Sequence, residues 1–265
     1  MKKFIVIVPL VSLLFFGAGL VQARSTNSDK DFKLPSDAVE VAPNVFSLGT
    51  AYDAQSHSMV EGYAFVHKKN NAKSNIIKGP KTPACYGFLA RGVKWKNVEA
   101  WTVFPGAGLD ENFILNNTAS NIAKWETAAG DINILGSGSL GVDFPSDPNV
   151  LDDKNEVSFS HISDSNTIAV TIVWGVFSGP TFNRQLVAWD QIFNTDYSWS
   201  EDATGSTNQM DFENISTHEL GHTVGMDDMY NSSCSTATMY GYANYGETNK
   251  RSLEQADITG ISTLY

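Results

Sequence analysis

His218 to Asp228 reads H-E-L-G-H-T-V-G-M-D-D, and the rest of the chain is best read outward from it. Residues four apart on a helix share one face, so His218 and His222 can aim ring nitrogens at a single ion. Zinc takes imidazole nitrogen at about 2.0–2.1 Å, and a catalytic zinc wants three protein ligands plus a water. Glu219 points to one side of that metal, where a carboxylate can hold the water and accept its proton. The third ligand must come from beyond the helical face. Gly225 accepts the left-handed conformation that stops a helix and turns the chain. Three residues later, Asp228 can reach back to the same ion, since a carboxylate oxygen ligates zinc at about 2.0–2.2 Å. A lone histidine on a helix is usually structural. Here two of the five histidines share the motif with a glutamate, followed by a glycine and a liganding side chain. The expected centre is Zn²⁺ on His218, His222 and Asp228, with Glu219 as the catalytic base.

The stretch resembles the metzincin zinc-peptidase signature, H-E-x-x-H-x-x-G-x-x-H. Downstream, T-A-T-M-Y-G-Y (Thr236–Tyr242) looks like a Met-turn with Met239 as its methionine. L-E-Q-A-D-I-T-G-I-S-T-L-Y (Leu253–Tyr265) looks like the closing helix of matrixin-type domains. Upstream, I-F-N-T-D-Y-S-W-S (Ile192–Ser200) is similar to the strand that enters the active-site helix in prokaryotic matrixin-like enzymes. The resemblance covers roughly Cys85 to Tyr265. It implies an α+β metzincin fold: a twisted mixed sheet, an active-site helix, a Met-turn and a C-terminal helix. It also implies an endopeptidase acting on proteins or peptides, with substrate laid along an edge strand, Ile168 to Trp174. The sequence departs from matrixins at Asp228, where they carry histidine; snapalysin-like metzincins carry the same aspartate. In the resembling fold the start of the domain packs near the Met-turn, which brings Cys85 within reach of Cys234. The competing reading makes Cys85 a latency thiolate, but T-P-A-C-Y-G-F (Thr82–Phe88) lacks the arginine and glycine that flank a matrixin switch cysteine. The disulfide is therefore the expectation.

The chain has 265 residues and a formal net charge of -11, which argues against a nucleic-acid partner. Met1–Ala23 has Lys2 and Lys3, an apolar run, and V-Q-A before the expected cut. Residues 1–23 are read as a signal peptide, so the protein is expected to be secreted, with no stable membrane association after cleavage and as a monomer. Its two cysteines allow one internal bridge.

Residues 24–81 read as a pro-like segment: a β-hairpin around D-A-Q-S-H-S, then a linker over 68–81 with five lysines. Residues 82–265 read as the peptidase domain. In it, Val93–Phe104, Ile132–Leu135, Val157–Phe159, Thr167–Val176 and Gln185–Thr195 are strand-like, and Asp110–Ala129 is helical with Gly130 as its stop. Ser252 and Gln255 have the form of a capping box for the last helix. Asp147, Asp152, Asp153 and Asp164 could take Ca²⁺ but lack a fixed loop spacing, so a solvated loop is the better reading. The rival function is a secreted binding or structural module whose zinc is not catalytic. Glu219 argues against it. A structural zinc would also need a fourth ligand, for which Cys234 is the nearest thiol.

Overall fold

A computed structural model describes residues 31–70, 84–143 and 145–265. The expected signal peptide lies outside the described residues. Thr167–Val176 (β7) is the natural place to begin building the fold. Its run of β-branched and apolar residues is buried on both faces, as suits a strand inside a sheet. Antiparallel neighbours flank it: Gln185–Asn194 (β8) on one side and Ser58–Lys69 (β3) on the other. Beyond β8 the order continues through Glu156–Ser160 (β6), Trp101–Val103 (β4) and Gly138–Leu140 (β5), all parallel to their neighbours. Beyond β3 come Val45–Asp53 (β2) and Val39–Ala42 (β1), while Tyr242–Ala243 (β11) pairs in parallel with the end of β3. Ser198–Ser200 (β9) and Gln209–Asp211 (β10) form a small parallel pair of their own. The architecture is α+β.

Three helices line one face of the sheet. Glu111–Ala128 (α1) begins at Asp110, whose carboxylate accepts from the N–H groups of Asn112 and Phe113. Phe212–Thr223 (α2) carries the H-E-x-x-H motif, and Asp211 caps it through the Asn214 N–H. Every residue of α2 except Glu213 is buried. Gln255–Leu264 (α3) closes the fold. The main core lies between these helices and the sheet, with Trp101, Trp125, Trp189, Phe193 and Phe212 as its bulk. A second cluster fills the opposite face, where Val60, Ala64 and Val66 of β3 meet Val170, Ile172 and Trp174 of β7.

The hairpin appears as β2 and β3, turning at Asp53, whose carboxylate accepts from Gln55 and Ser56. It belongs to the same sheet as residues 101–194. This corrects the expectation that β7 is an edge strand: β3 holds its free side from Glu61↔Gly175 to Lys68↔Thr167. Alternate residues of β3 bury themselves on both faces, as only an interior strand can.

Three local expectations also change. Ile132–Leu135 is a loop, because Glu126 of α1 accepts the Ile134 and Leu135 N–H groups that a ladder would need. Pairing starts later, at Gly138, whose missing side chain leaves room for the Trp101 ring. Of Val93–Phe104 only Trp101–Val103 is a strand, and Trp95 instead spends its indole N–H on the Thr223 carbonyl at the end of α2. The cap of α3 lies two residues further on, at Glu254: Asp257 accepts from the Glu254 N–H, while the Ser252 carbonyl is taken by the Thr238 hydroxyl. Cys85 and Cys234 form a disulfide across a sequence separation of 149.

Candidate active site

The site is built where α2 ends. Gly221 inside the motif lies against Met239, with no space for a side chain between them. Met239 is fully buried and so forms the floor on which the motif rests, the place expected of the Met-turn residue. At Gly225 φ is 101°, and a side chain there would meet Leu264 and the Val93 carbonyl, so glycine is required twice over. The turn it makes returns the chain, and the Asp227 N–H donates to the Gly87 carbonyl. Asp228 thereby comes back over the helix.

His218, His222 and Asp228 offer ligand atoms within 4.8 Å of one another, and all three are buried. The Nδ1 of His218 donates to the Thr238 carbonyl at 2.7 Å, and that of His222 to the Met226 carbonyl at 3.0 Å. A carbonyl can only accept, so both rings carry their proton on Nδ1 and present an Nε2 lone pair. His218 Nε2 lies 3.3 Å from Asp228 Oδ1, and His222 Nε2 lies 3.7 Å from it. Two ligands on one tetrahedral zinc stand roughly 3.3 Å apart at ordinary bond lengths. His218 Nε2 and Asp228 Oδ1 are buried with no hydrogen-bond partner, an arrangement that an ion between them would satisfy. The residues fit a zinc ion. Asp227, the other carboxylate at this turn, accepts from the Asp228 N–H and lies outside the group.

Burial pushes the His222 imidazole down to about 4, which keeps it neutral and able to ligate. Burial alone would raise Asp228, but His222, His218 and the Tyr230 hydroxyl outweigh it and hold the carboxyl at about 2. Tyr230 donates to Asp228 Oδ2 at 2.8 Å and accepts from the Asn44 amide at 3.2 Å. Glu219 is fully buried beside the ligand group. Its Oε2 accepts from the Thr171 hydroxyl at 2.5 Å, and its Oε1 meets His67 Nδ1 at 2.8 Å. Burial pushes Glu219 up to about 7, Asp228 adds to the rise, and His218, Thr171 and Lys250 oppose it.

Four residues at the site carried no sequence signal as members of a motif: His67, Thr171, Tyr230 and Lys250. Thr171 is a single polar residue inside an apolar strand run, the one trace that could have marked it, whereas His67 opens the polar end of its strand ahead of Lys68 and Lys69. Lys250 is wholly buried, and its ammonium donates to the Tyr240 and Tyr242 carbonyls at 2.7 and 2.6 Å. Of the four acidic residues weighed for calcium, three serve as turn caps: Asp147, Asp152 and Asp164 accept from the N–H groups of Asn149, Lys154 and Asn166.

Residues 149–265 match the family model described as Matrixin. A 77-residue stretch is 35% identical to stromelysin-1 of Mus musculus, covering 29% of this chain and 15% of that protein. Another, of 76 residues, is 38% identical to matrilysin of Homo sapiens, covering 29% of this chain and 26% of that protein. The chain thus spans only a minor part of the length of these relatives. The crystal structure of metalloproteinase-II from Bacteroides fragilis aligns over 84% of this chain and 77% of that one, at 9% identity and a TM-score of 0.35. The match over residues 149–265 takes in the H-E-x-x-H motif, and over that stretch the chain is similar to matrixins.

Proposed function

We propose that this protein is a secreted zinc endopeptidase. The observation that carries the reading is the pairing of a three-ligand group with a separate buried carboxylate, Glu219, on the next residue of the same helix. Zinc held by His218, His222 and Asp228 would polarise a water and the scissile carbonyl. Glu219 is the chain's own proton carrier: it takes a proton from the attacking water and passes it to the leaving amine. Thr171 orients Glu219 from β7. Secretion rests on the residues 1–23 pattern and on the disulfide, which belongs to an oxidising compartment. The substrates proposed are proteins or peptides.

The non-catalytic zinc module loses its main support, because Cys234 is bonded to Cys85 and has no thiolate to close a fourth position. The experiment is Glu219→Ala, with zinc content and peptide cleavage measured on one preparation. The zinc should stay and the rate should fall by about 100-fold or more, the scale of general-base catalysis. A zinc-loaded variant as fast as the parent would sink the mechanism.

A further inference from the structure

Two loops distant in sequence meet on the surface beyond the end of α2. One spans residues 91–98, ahead of β4, and the other residues 177–184, between β7 and β8. Gly92 lies against Thr181, and the Leu186 N–H donates to the Lys94 carbonyl at 3.1 Å. Arg184 Nη1 donates to the Arg91 carbonyl at 2.8 Å, and Lys96 Nζ to the Phe182 carbonyl at 2.9 Å. The first loop is bonded in turn to the motif helix, through the Trp95 indole N–H and the Thr223 carbonyl.

This patch differs in charge from the rest of the surface. Neither loop holds an acidic residue, and Glu99, the next acid along the chain, faces the Asn155 amide. Arg91 and Lys96 are exposed and Arg184 is half-buried. The donors of Arg184 and Lys96 go to carbonyl oxygens, which satisfy N–H groups but leave the charge uncompensated. Elsewhere the described cations sit on carboxylates: Lys33 on Asp31, Lys68 on Asp164, Lys124 on Glu213, Lys154 on Asp152, and Arg251 on Asp202 and Asp211. A chain with a formal charge of -11 thus leaves its cations unpaired in one place.

An apolar ring stands among them. Phe182 is 77% exposed, on a single 3₁₀ turn at Thr181–Asn183, and Val98 nearby is 51% exposed. A lone exposed apolar residue needs no explanation, but a ring set among uncompensated cations has the chemistry of an interfacial anchor. Anionic headgroups supply phosphate for the cations, and the acyl boundary takes the ring. A soluble polyanion would satisfy the cations and leave the ring in water. The acidic remainder of the molecule is repelled by such a surface, yet that field fades within about 8 Å at physiological salt, so the patch that touches decides. We propose that residues 91–98 and 177–184 form a docking surface for an anionic phospholipid bilayer, with Phe182 entering the acyl boundary and Arg91, Lys96 and Arg184 on the phosphates. Docking of this kind is reversible and fits the expectation of no stable membrane association. Among the described residues no helix is long and apolar enough to cross a membrane. The inference does not depend on the peptidase reading.

The test uses the protein as it leaves the cell, because the apolar run before residue 24 would itself enter a bilayer. Vesicles of equal parts phosphatidylglycerol and phosphatidylcholine are compared with pure phosphatidylcholine vesicles by co-sedimentation. Wild type should bind the mixed vesicles, release them at high salt and ignore the neutral ones. Arg91→Ala with Lys96→Ala should weaken binding about 25-fold, at about fivefold for each cation near an anionic surface. Phe182→Ser should weaken it about tenfold, the low end for burying an aromatic ring. Lys154→Ala, outside both loops, should bind as wild type does. These side chains are exposed, so melting temperatures should hold; if the double variant unfolds, Phe182→Ser decides alone. Equal binding to both vesicle types would overturn the proposal, and so would parent-like binding by folded Phe182→Ser. Tight binding of wild type and Phe182→Ser alike to dextran sulfate, with mixed vesicles ignored, would replace the bilayer by a soluble polyanion.

Discussion

The hairpin Val39–Lys69 and the C-terminal stretch 149–265 meet in one sheet, yet they are held and recognised in different ways. The C-terminal stretch contributes all three zinc-ligand candidates, the candidate base Glu219 and the buried methionine, and it matches the matrixin model. It is also tied covalently to the start of its own domain through Cys234 and Cys85. The hairpin lies outside that match and is held by ladder hydrogen bonds and side-chain packing. It sends two polar groups and one apolar ring into the site: His67 to Glu219, Asn44 to Tyr230, and Phe65 onto His222. A strong motif therefore built the chemistry, and a region without one covers it.

The largest expected effect tests the covalent tie. Replacing both cysteines by serine opens a loop with a separation of 149 residues. The chain-entropy model gives a loss of up to about 5 kcal/mol, often less in practice. Chemical denaturation should show it, with the loss falling on the region around α2. A loss confined to the hairpin would reverse the comparison.

Next in size is the third ligand. Asp228→Ala should weaken zinc binding by more than about 100-fold, beyond the range for residues that merely support ligands, while Asp228→His keeps the metal. Competition with a chromophoric chelator reads both. Parent-like affinity in Asp228→Ala would mean the third ligand lies elsewhere.

A smaller effect sits on the bridge between the two regions. Tyr230→Phe removes the hydroxyl that Asp228 accepts from and that Asn44 donates to. Zinc affinity should fall by about 10-fold, at the low end for an outer-shell partner. Asn44→Gly keeps the left-handed backbone at φ 60° and should weaken zinc less than Tyr230→Phe does. Equal losses would show that the hairpin, rather than the tyrosine, sets the ligand.

The smallest effect lies far from the site, in the sheet that both regions share. Asp190 is buried on β8 beside Glu156 of β6, its partner in register, and its Oδ1 lacks a hydrogen bond. Burial, then Glu156, raise its pKa well above the usual carboxylate range. A raised folded pKa means the folded state binds the proton more tightly, so stability falls as pH climbs from the unfolded value through the folded one. Asp190→Asn should stabilise by about 1 kcal/mol near neutral pH, with the gain shrinking toward pH 4. Thermal melts across that range check the sign; a gain that grows on acidification would refute it.

The sequence alone determined what depends on near neighbours along the chain. Four-residue spacing put His218 and His222 on one helical face, Gly225 stopped that helix, and β-branched runs marked β7 and β8 as strands. The Cys85–Cys234 bridge followed from the family resemblance, and the disulfide is there. The fold decided what depends on residues distant in sequence. His67 and Glu219 are 152 positions apart, and Asn44 and Tyr230 are 186 apart. No periodicity links such pairs, because their approach is set by which strand lies beside β7. Strand order is a choice among sheet edges, made by burial of both faces of β3, and it is not written in the local pattern of either strand. That choice turned an expected open edge into an interior strand and put His67 against the Glu219 carboxylate.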